Sequence, residues 1–112
     1  MRALTVQQPH ADDIMAGRKR FENRSWATKH RGKLLIHSSQ RGSGPGVRGA
    51  VLGSVEVVGM LTPAQALEKY PDQEPYVFGP VCWELANPQR QQPVKCKGGL
   101  GLWNYPRQER DA

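Results

Sequence analysis

Apolar and polar positions in this chain alternate mostly in short runs of period two, which predicts strands rather than long helices. In Lys33–Ser38 (KLLIHS), Leu34 and Ile36 fall on one side and Leu35 and His37 on the other. Ala50–Met60 (AVLGSVEVVGM) carries the strongest strand signal. Val51, Val55 and Val57 are expected on one face of it, with Leu52, Ser54, Glu56 and Val58 on the other, and Gly53 and Gly59 predict a bend or bulge. Ala3–Gln7 predicts a short strand with Leu4 and Val6 together, and Phe21–Trp26 an extended segment. Val81–Ala86 sets Trp83 and Leu85 against Cys82 and Glu84, Pro93–Lys97 is extended, and Leu102–Trp103 closes the series.

Two stretches depart from this period. Pro9 fits the first turn of a helix that continues through Ala11–Ala16, with Asp12 and Asp13 favourable for its dipole and Gly17 suited to end it. Thr62–Tyr70 predicts a second short helix, with Thr62 as N-cap, Pro63 as first residue and Pro71 just beyond. Gln40–Gly49, with four glycines and a proline, reads as a flexible loop. The tally predicts an α+β, mainly β, fold: a small, partly closed β-barrel of five or six strands, with two short helices over its openings. The 112 residues suit one domain, with a core from about residue 3 to 104 and a loose polar tail at 105–112.

Composition narrows the class. No run of eighteen apolar residues is present, so no membrane span is expected. The opening MRALTVQQPHADD lacks the apolar region of a secretory signal, and Cys82 and Cys96 read as thiols in a reducing compartment, which predicts a cytoplasmic protein. His10, His30, His37, Cys82 and Cys96 show no metal-ligand spacing. The glycines at 42, 44, 46 and 49 are not followed by the Lys-Ser/Thr of a phosphate loop, and neither metal nor cofactor is expected.

Charge points to a partner. Net charge is +6, and residues 18–33 alone carry Arg18, Lys19, Arg20, Arg24, Lys29, Arg31 and Lys33 against the single acid Glu22. So concentrated a field attracts polyanions, nucleic acid first among them, where a diffuse excess would only aid solubility.

Five segments in order resemble the ASCH domain, a PUA-like family, and within it the coactivator-type members. They are Leu4–Ala11 (LTVQQPHA); Gly17–Arg24 (GRKRFENR), which fits G-x-K-x-x-E-x-R; Ser25–Ser38; Ala50–Val58; and Pro93–Trp103. The resemblance implies a PUA-like β-barrel with a cleft beside its first helix. It also implies RNA or DNA binding, with hydrolysis of modified nucleosides or of RNA in some members. Asp12–Lys19 (DDIMAGRK) is similar to one branch, an acetylcytidine amidohydrolase with a lysine, a threonine and a glutamate at its site. Lys19 carries over. The threonine falls on Glu22, so the hydroxyl nucleophile is missing, and the glutamate maps to Glu56 or Glu84.

Lys19 is the leading candidate: a point charge for phosphate, or a base or nucleophile if burial lowers its pKa. Glu22 and Arg24 share a face if their segment is extended. Glu22 is then a proton acceptor, or else part of an ion pair that fastens the helix end. Trp26, directly after the basic run, is placed to stack a base, while Trp83 and Trp103 read as core. Gln8 and His10 flank Pro9. Gln8 can read a base edge and His10 can exchange a proton near neutrality, or both can cap the helix start. Ser39, past the end of a strand, can touch a phosphate, while His37 reads as a satisfied, half-buried histidine.

Three functions remain open. In the first, the module holds RNA or DNA, as a single strand, a local duplex contact or a nucleotide, in a basic cleft built by Gln8, His10, Arg18, Lys19, Arg20, Arg24, Trp26, Lys29, Arg31 and Ser39. In the second, a small hydrolase acts on an acylated or otherwise modified nucleoside or on RNA, with Lys19 and Glu22 catalytic, or Glu84 in place of Glu22 as proton acceptor. The third is a protein-interaction module.

Overall fold

The computed structural model describes residues 1–106. In chain order the elements are β1 (Arg2–Gln8), α1 (His10–Met15), β2 (Phe21–Arg24), β3 (Gly32–Gly42), β4 (Ala50–Leu61), α2 (Pro63–Lys69), a 3-10 turn (Pro71–Tyr76), β5 (Val81–Lys95) and β6 (Leu102–Asn104). The strands form one six-stranded sheet in the order β2-β5-β4-β3-β1-β6. Among the described strands only the β1–β3 pair is parallel. The fold is therefore mainly β with two short helices, as the alternation predicts.

The sheet does not close into a barrel through its backbone. β2 and β1 are separated in the ladder by β5, β4 and β3. Yet the Arg24 guanidinium on β2 donates to the Thr5 carbonyl on β1 at 2.9 Å. The sheet is thus curled until its edge strand meets β1 across a seam bridged by a side chain.

Inside the curl, Leu4, Val6, Leu34, Ile36, Leu52, Val55, Val57, Trp83 and Leu85 pack with Ala11, Ile14 and Met15 of α1, which stops one end. A smaller cluster on the opposite face joins Ala3, Leu35, Val51 and Trp103. A third sets Phe21, Ala66 and Cys82 between the sheet and α2.

The expected faces of β4 need one correction. Val51 belongs to the outer cluster, while Leu52 joins Val55 and Val57 inside. The cause is a register shift at Gly53: Ile36 pairs with Gly53 but His37 with Val51, so one residue of β4 is extra. An extra residue reverses which side chains face the core.

Two boundaries also differ. β3 runs on through Gln40–Gly42, because Gly42 pairs with Gln8 although these residues are exposed and polar. The segments Val81–Ala86 and Pro93–Lys97 fall largely on one long strand, β5. β2 covers β5 only as far as Glu84, so beyond that point β5 is an edge, where Pro88 and Pro93 need not donate to a neighbour.

α2 begins as predicted: Thr62 caps the Gln65 N–H, and the Gln65 side chain returns a bond to the Thr62 N–H. In α1, Pro9 stands at the N-cap position, and Gly17 follows the helix with φ of +80°. Most of the predicted tail, residues 107–112, lies outside the described residues.

The bulge gives a direct test. A Cβ on Gly53 would overlap the Gln89 carbonyl oxygen, a backbone atom that cannot swing aside. Gly53→Ala is expected to destabilise the fold by on the order of 2 kcal/mol, read as a lower urea midpoint. An unchanged midpoint would show that the bulge is not a fixed part of the strand.

Candidate functional site

The loop from Gly17 to Arg20 delivers Lys19 to the seam between β1 and β2. Its path is set by the Arg18 and Lys19 backbone N–H groups, which both donate to the Asp13 carbonyl at the end of α1. Lys19 is only 3% exposed and Glu22 6%. The Lys19 ammonium donates to Nδ1 of His10 at 3.0 Å and stands 3.9 Å from Oε1 of Glu22. Glu22 in turn accepts from Nε of Arg24 through its other oxygen, at 2.8 Å. Because β2 is extended, Glu22 and Arg24 share a face, as expected, and Asn23 points the other way.

Burial sets the protonation of this group. Desolvation pushes the Lys19 pKa down, with Arg24 adding to the effect, while Glu22 and Asp13 act against it. His10 is also pushed down, first by burial and then by the Lys19 charge, so it accepts from Lys19 as a neutral ring. Phe78 stands at the rim, with its ring centroid 5.7 Å from the Lys19 Nζ and 6.2 Å from the His10 ring. Together with Thr5, Val6 and Gln7 these groups line a cavity of about 440 Å³.

A larger cavity of about 900 Å³ adjoins it. Thr5, Gln7 and Arg24 line both. The remaining walls of the larger one are His37, Ser39, Gln40, Arg41, Gly49 and the segment from Lys95 to Gly101. Among the described residues lining it are four cations, Arg24, Arg41, Lys95 and Lys97, and no carboxylate.

The Thr5 hydroxyl organises one wall. It donates to Nδ1 of His37 at 3.2 Å and accepts from the Trp103 indole at 3.0 Å. His37 donates through Nε2 to the Cys96 carbonyl at 2.8 Å. Gly98 lies so close above this pair that a Cβ there would meet both Thr5 Oγ1 and His37 Cε1 at 2.7 Å. His37 is therefore a buried, hydrogen-bonded side chain that pins the glycine-rich segment to β1 and β3.

The candidates named from sequence divide. Lys19, Glu22, Arg24 and His10 converge on the smaller cavity, and Ser39 and Arg24 line the larger one. Trp26 is 37% exposed. It packs edge-on against Trp83 at 4.9 Å and lies beside Gly101, at the margin of the larger cavity.

The others are placed elsewhere. Gln8 is buried with both ends of its amide engaged, donating to the Val47 carbonyl and accepting from the Asp12 N–H, so it caps α1 and holds the glycine loop. Arg18 pairs with Asp13 at the surface, and the Arg20 guanidinium lies over Tyr70, away from both cavities. Lys29 is exposed, and Arg31 bonds to the Thr28 and His30 carbonyls of its own loop. Neither candidate glutamate joins Lys19. Glu56 is exposed on β4, and Glu84 faces α2, where it accepts from Tyr70 and Lys69.

Sequence reading missed Thr5, Gln7, Asn23, Arg41, Phe78 and the run from Lys95 to Gly101. The last had a visible signal, a lysine- and glycine-rich KCKGGLG, but it lies sixty residues from the basic cluster and is brought near only by the sheet.

The ASCH domain model matches residues 4–95. The chain belongs to the ASCH domain family. Among curated relatives, human Activating signal cointegrator 1 (Homo sapiens) is 30% identical over 89% of this ASCH domain and 21% of its own length. The protein of the same name from Mus musculus is 28% identical with the same coverage. The chain thus spans about a fifth of the length of these relatives. Solved structures of an ASCH protein from Zymomonas mobilis share the fold. A form with a serine-to-alanine substitution gives a TM-score of 0.62, and an unsubstituted form 0.58. Both are 14% identical and cover 84% of this chain and 72% of theirs.

A buried imidazole, His37, and a half-buried one, His10, are expected to make the stability of this ASCH domain depend on pH. Burial lowers the pKa of His37 as well as that of His10. An unfolded chain takes up these protons near pH 6.5, before the folded chain does, so stability falls as the pH drops below about 6.5. Urea unfolding is expected to show a lower midpoint at about pH 5.5 than at about pH 7.5, and His37→Gln should reduce the difference. A midpoint that is flat or rising on acidification would contradict the assignment.

Proposed function

We propose that this ASCH domain binds nucleic acid, with the sugar–phosphate backbone lying in the larger cavity. The observation that carries this reading is the lining: Arg24, Arg41, Lys95 and Lys97, with Ser39 as a hydroxyl donor and no carboxylate among the described residues. Phosphates are held by such point charges and forks. Strand ends and a glycine-rich segment surround the cavity, so it suits a single strand, a nucleotide or a local duplex contact better than a helix-in-groove mode. Arg18, Arg20, Lys29 and Arg31 sit outside the cavity and act in this reading as a field that speeds encounter.

The test is a titration against short single- and double-stranded oligonucleotides over a range of salt. Four phosphate contacts on a single strand correspond to a slope of log K against log salt of about −3. Arg41→Ala and Lys97→Ala are each expected to weaken binding to all sequences alike and to make the slope shallower by roughly one. Binding that ignores salt, or variants that change neither affinity nor slope, would remove the proposal.

One observation favours a second reading, a hydrolase acting on a modified nucleoside or on RNA. Lys19 is a buried amine with a lowered pKa, bonded to a neutral imidazole and close to a carboxylate. In that reading the Lys19 amine stabilises an oxyanion or activates water, and Glu22 accepts the proton. Lys19→Met should abolish turnover of acylated cytidines or short RNAs while leaving the circular dichroism spectrum unchanged. Absence of turnover by the wild type on both substrate classes would discard it.

A further inference from the structure

The two adjoining cavities differ in charge, and that difference sorts the parts of a nucleotide. The charged groups among the larger one's described lining residues are all cations. The smaller one sets the Glu22 carboxylate against Lys19 and Arg24, so its charges are largely paired and it attracts a phosphate less than the larger one does. What suits the smaller cavity is uncharged, rich in hydrogen-bonding edges and flat enough to lie against an aromatic ring. Its volume of about 440 Å³ is in the range that holds small organic groups.

The polar wall offers a donor and an acceptor side by side. Lys19 Nζ and Glu22 Oε1 are 3.9 Å apart, too far for a good direct hydrogen bond, so each retains capacity toward a ligand. The pairing edge of a nucleobase sets an acceptor next to a donor and is read in this way once the base is out of its stack.

The aromatic wall is Phe78, which is 63% exposed and so contributes little to the core. It is nevertheless held in place. The Asn23 side-chain oxygen accepts from the backbone N–H groups of Phe78 at 2.9 Å and Gly79 at 3.0 Å, and its amide donates to the Tyr76 carbonyl at 3.0 Å. One strand therefore builds both walls: Glu22 and Arg24 face the cavity, and Asn23 between them fixes the segment that carries the ring.

We propose that Phe78 is a stacking platform for an unstacked nucleobase, whose polar edge turns toward Lys19 and Glu22 while its phosphates follow Arg24 into the larger cavity. This rests on the nucleic-acid reading above and adds the base subsite to it.

The experiment compares an oligothymidylate with an equally long strand of abasic residues, at one salt concentration, for the wild type and for Phe78→Ala and Phe78→Trp. A single stacked base corresponds to a preference for the base-bearing strand of roughly five- to 150-fold. Phe78→Ala should collapse that ratio toward one while keeping the salt slope of the wild type, and Phe78→Trp should restore it. Phe78 is exposed, so neither variant threatens the fold. If the wild type binds neither strand, the nucleic-acid reading itself fails. If it binds both and Phe78→Ala leaves the ratio unchanged, backbone binding stands and the platform is overturned.

Discussion

The guanidinium of Arg24 holds this structure and its site together. Through Nη2 it reaches the Thr5 carbonyl on β1, and through Nε it grips Glu22 beside it on β2. β2 has only four residues and a backbone ladder to β5 alone, so this side chain fastens its other side. A backbone ladder at that seam would have filled it. A side-chain bridge closes the sheet enough to exclude bulk water from Lys19 yet leaves space on both sides of the guanidinium. The two cavities exist because the sheet is joined there by a residue and not by a strand.

Charge in this chain is arranged by depth. The surface cations of residues 18–33 are spread over the exterior, and only Lys19 and Arg24 of that set reach the seam. Besides Arg24, the cations that line the larger cavity arrive from β3, from the end of β5 and from the segment that follows it. Thr5 and His37 hold that segment down, and Gly98 permits the close approach because it has no side chain. The walls of the larger cavity thus depend on a small neutral hydrogen-bond cluster that carries none of its charge.

Local pattern made much of the fold legible. Alternation in Lys33–Ser38 and Val81–Ala86 identifies inner and outer faces because the two faces pack into different clusters, with Leu34, Ile36, Trp83 and Leu85 inside the curl and Leu35 and Cys82 outside it. The Thr62 cap is written in two residues. What failed was non-local: the face of Val51 depends on a bulge whose phase is set by pairing with β3, and the length of β5 depends on how far β2 extends alongside it. The site shows the same division. Lys19, Glu22 and Arg24 are close in sequence and were visible as a group. Asn23 lay among them, but its role is to bond a segment more than fifty residues away, which no spacing announces. Arg41 and Lys97 were hidden for the same reason, and Arg18, Arg20, Lys29 and Arg31 lie outside the two cavities: charge density along a chain does not say which way side chains point.

Lys19 places a cation where the surrounding protein disfavours it, as its lowered pKa records. A methyl-terminated side chain of similar length would rest there without that penalty, and Glu22 would still have its guanidinium partner. Burial is thus the larger influence on this amine, and a guest that offers it an acceptor would replace part of the hydration that folding removes.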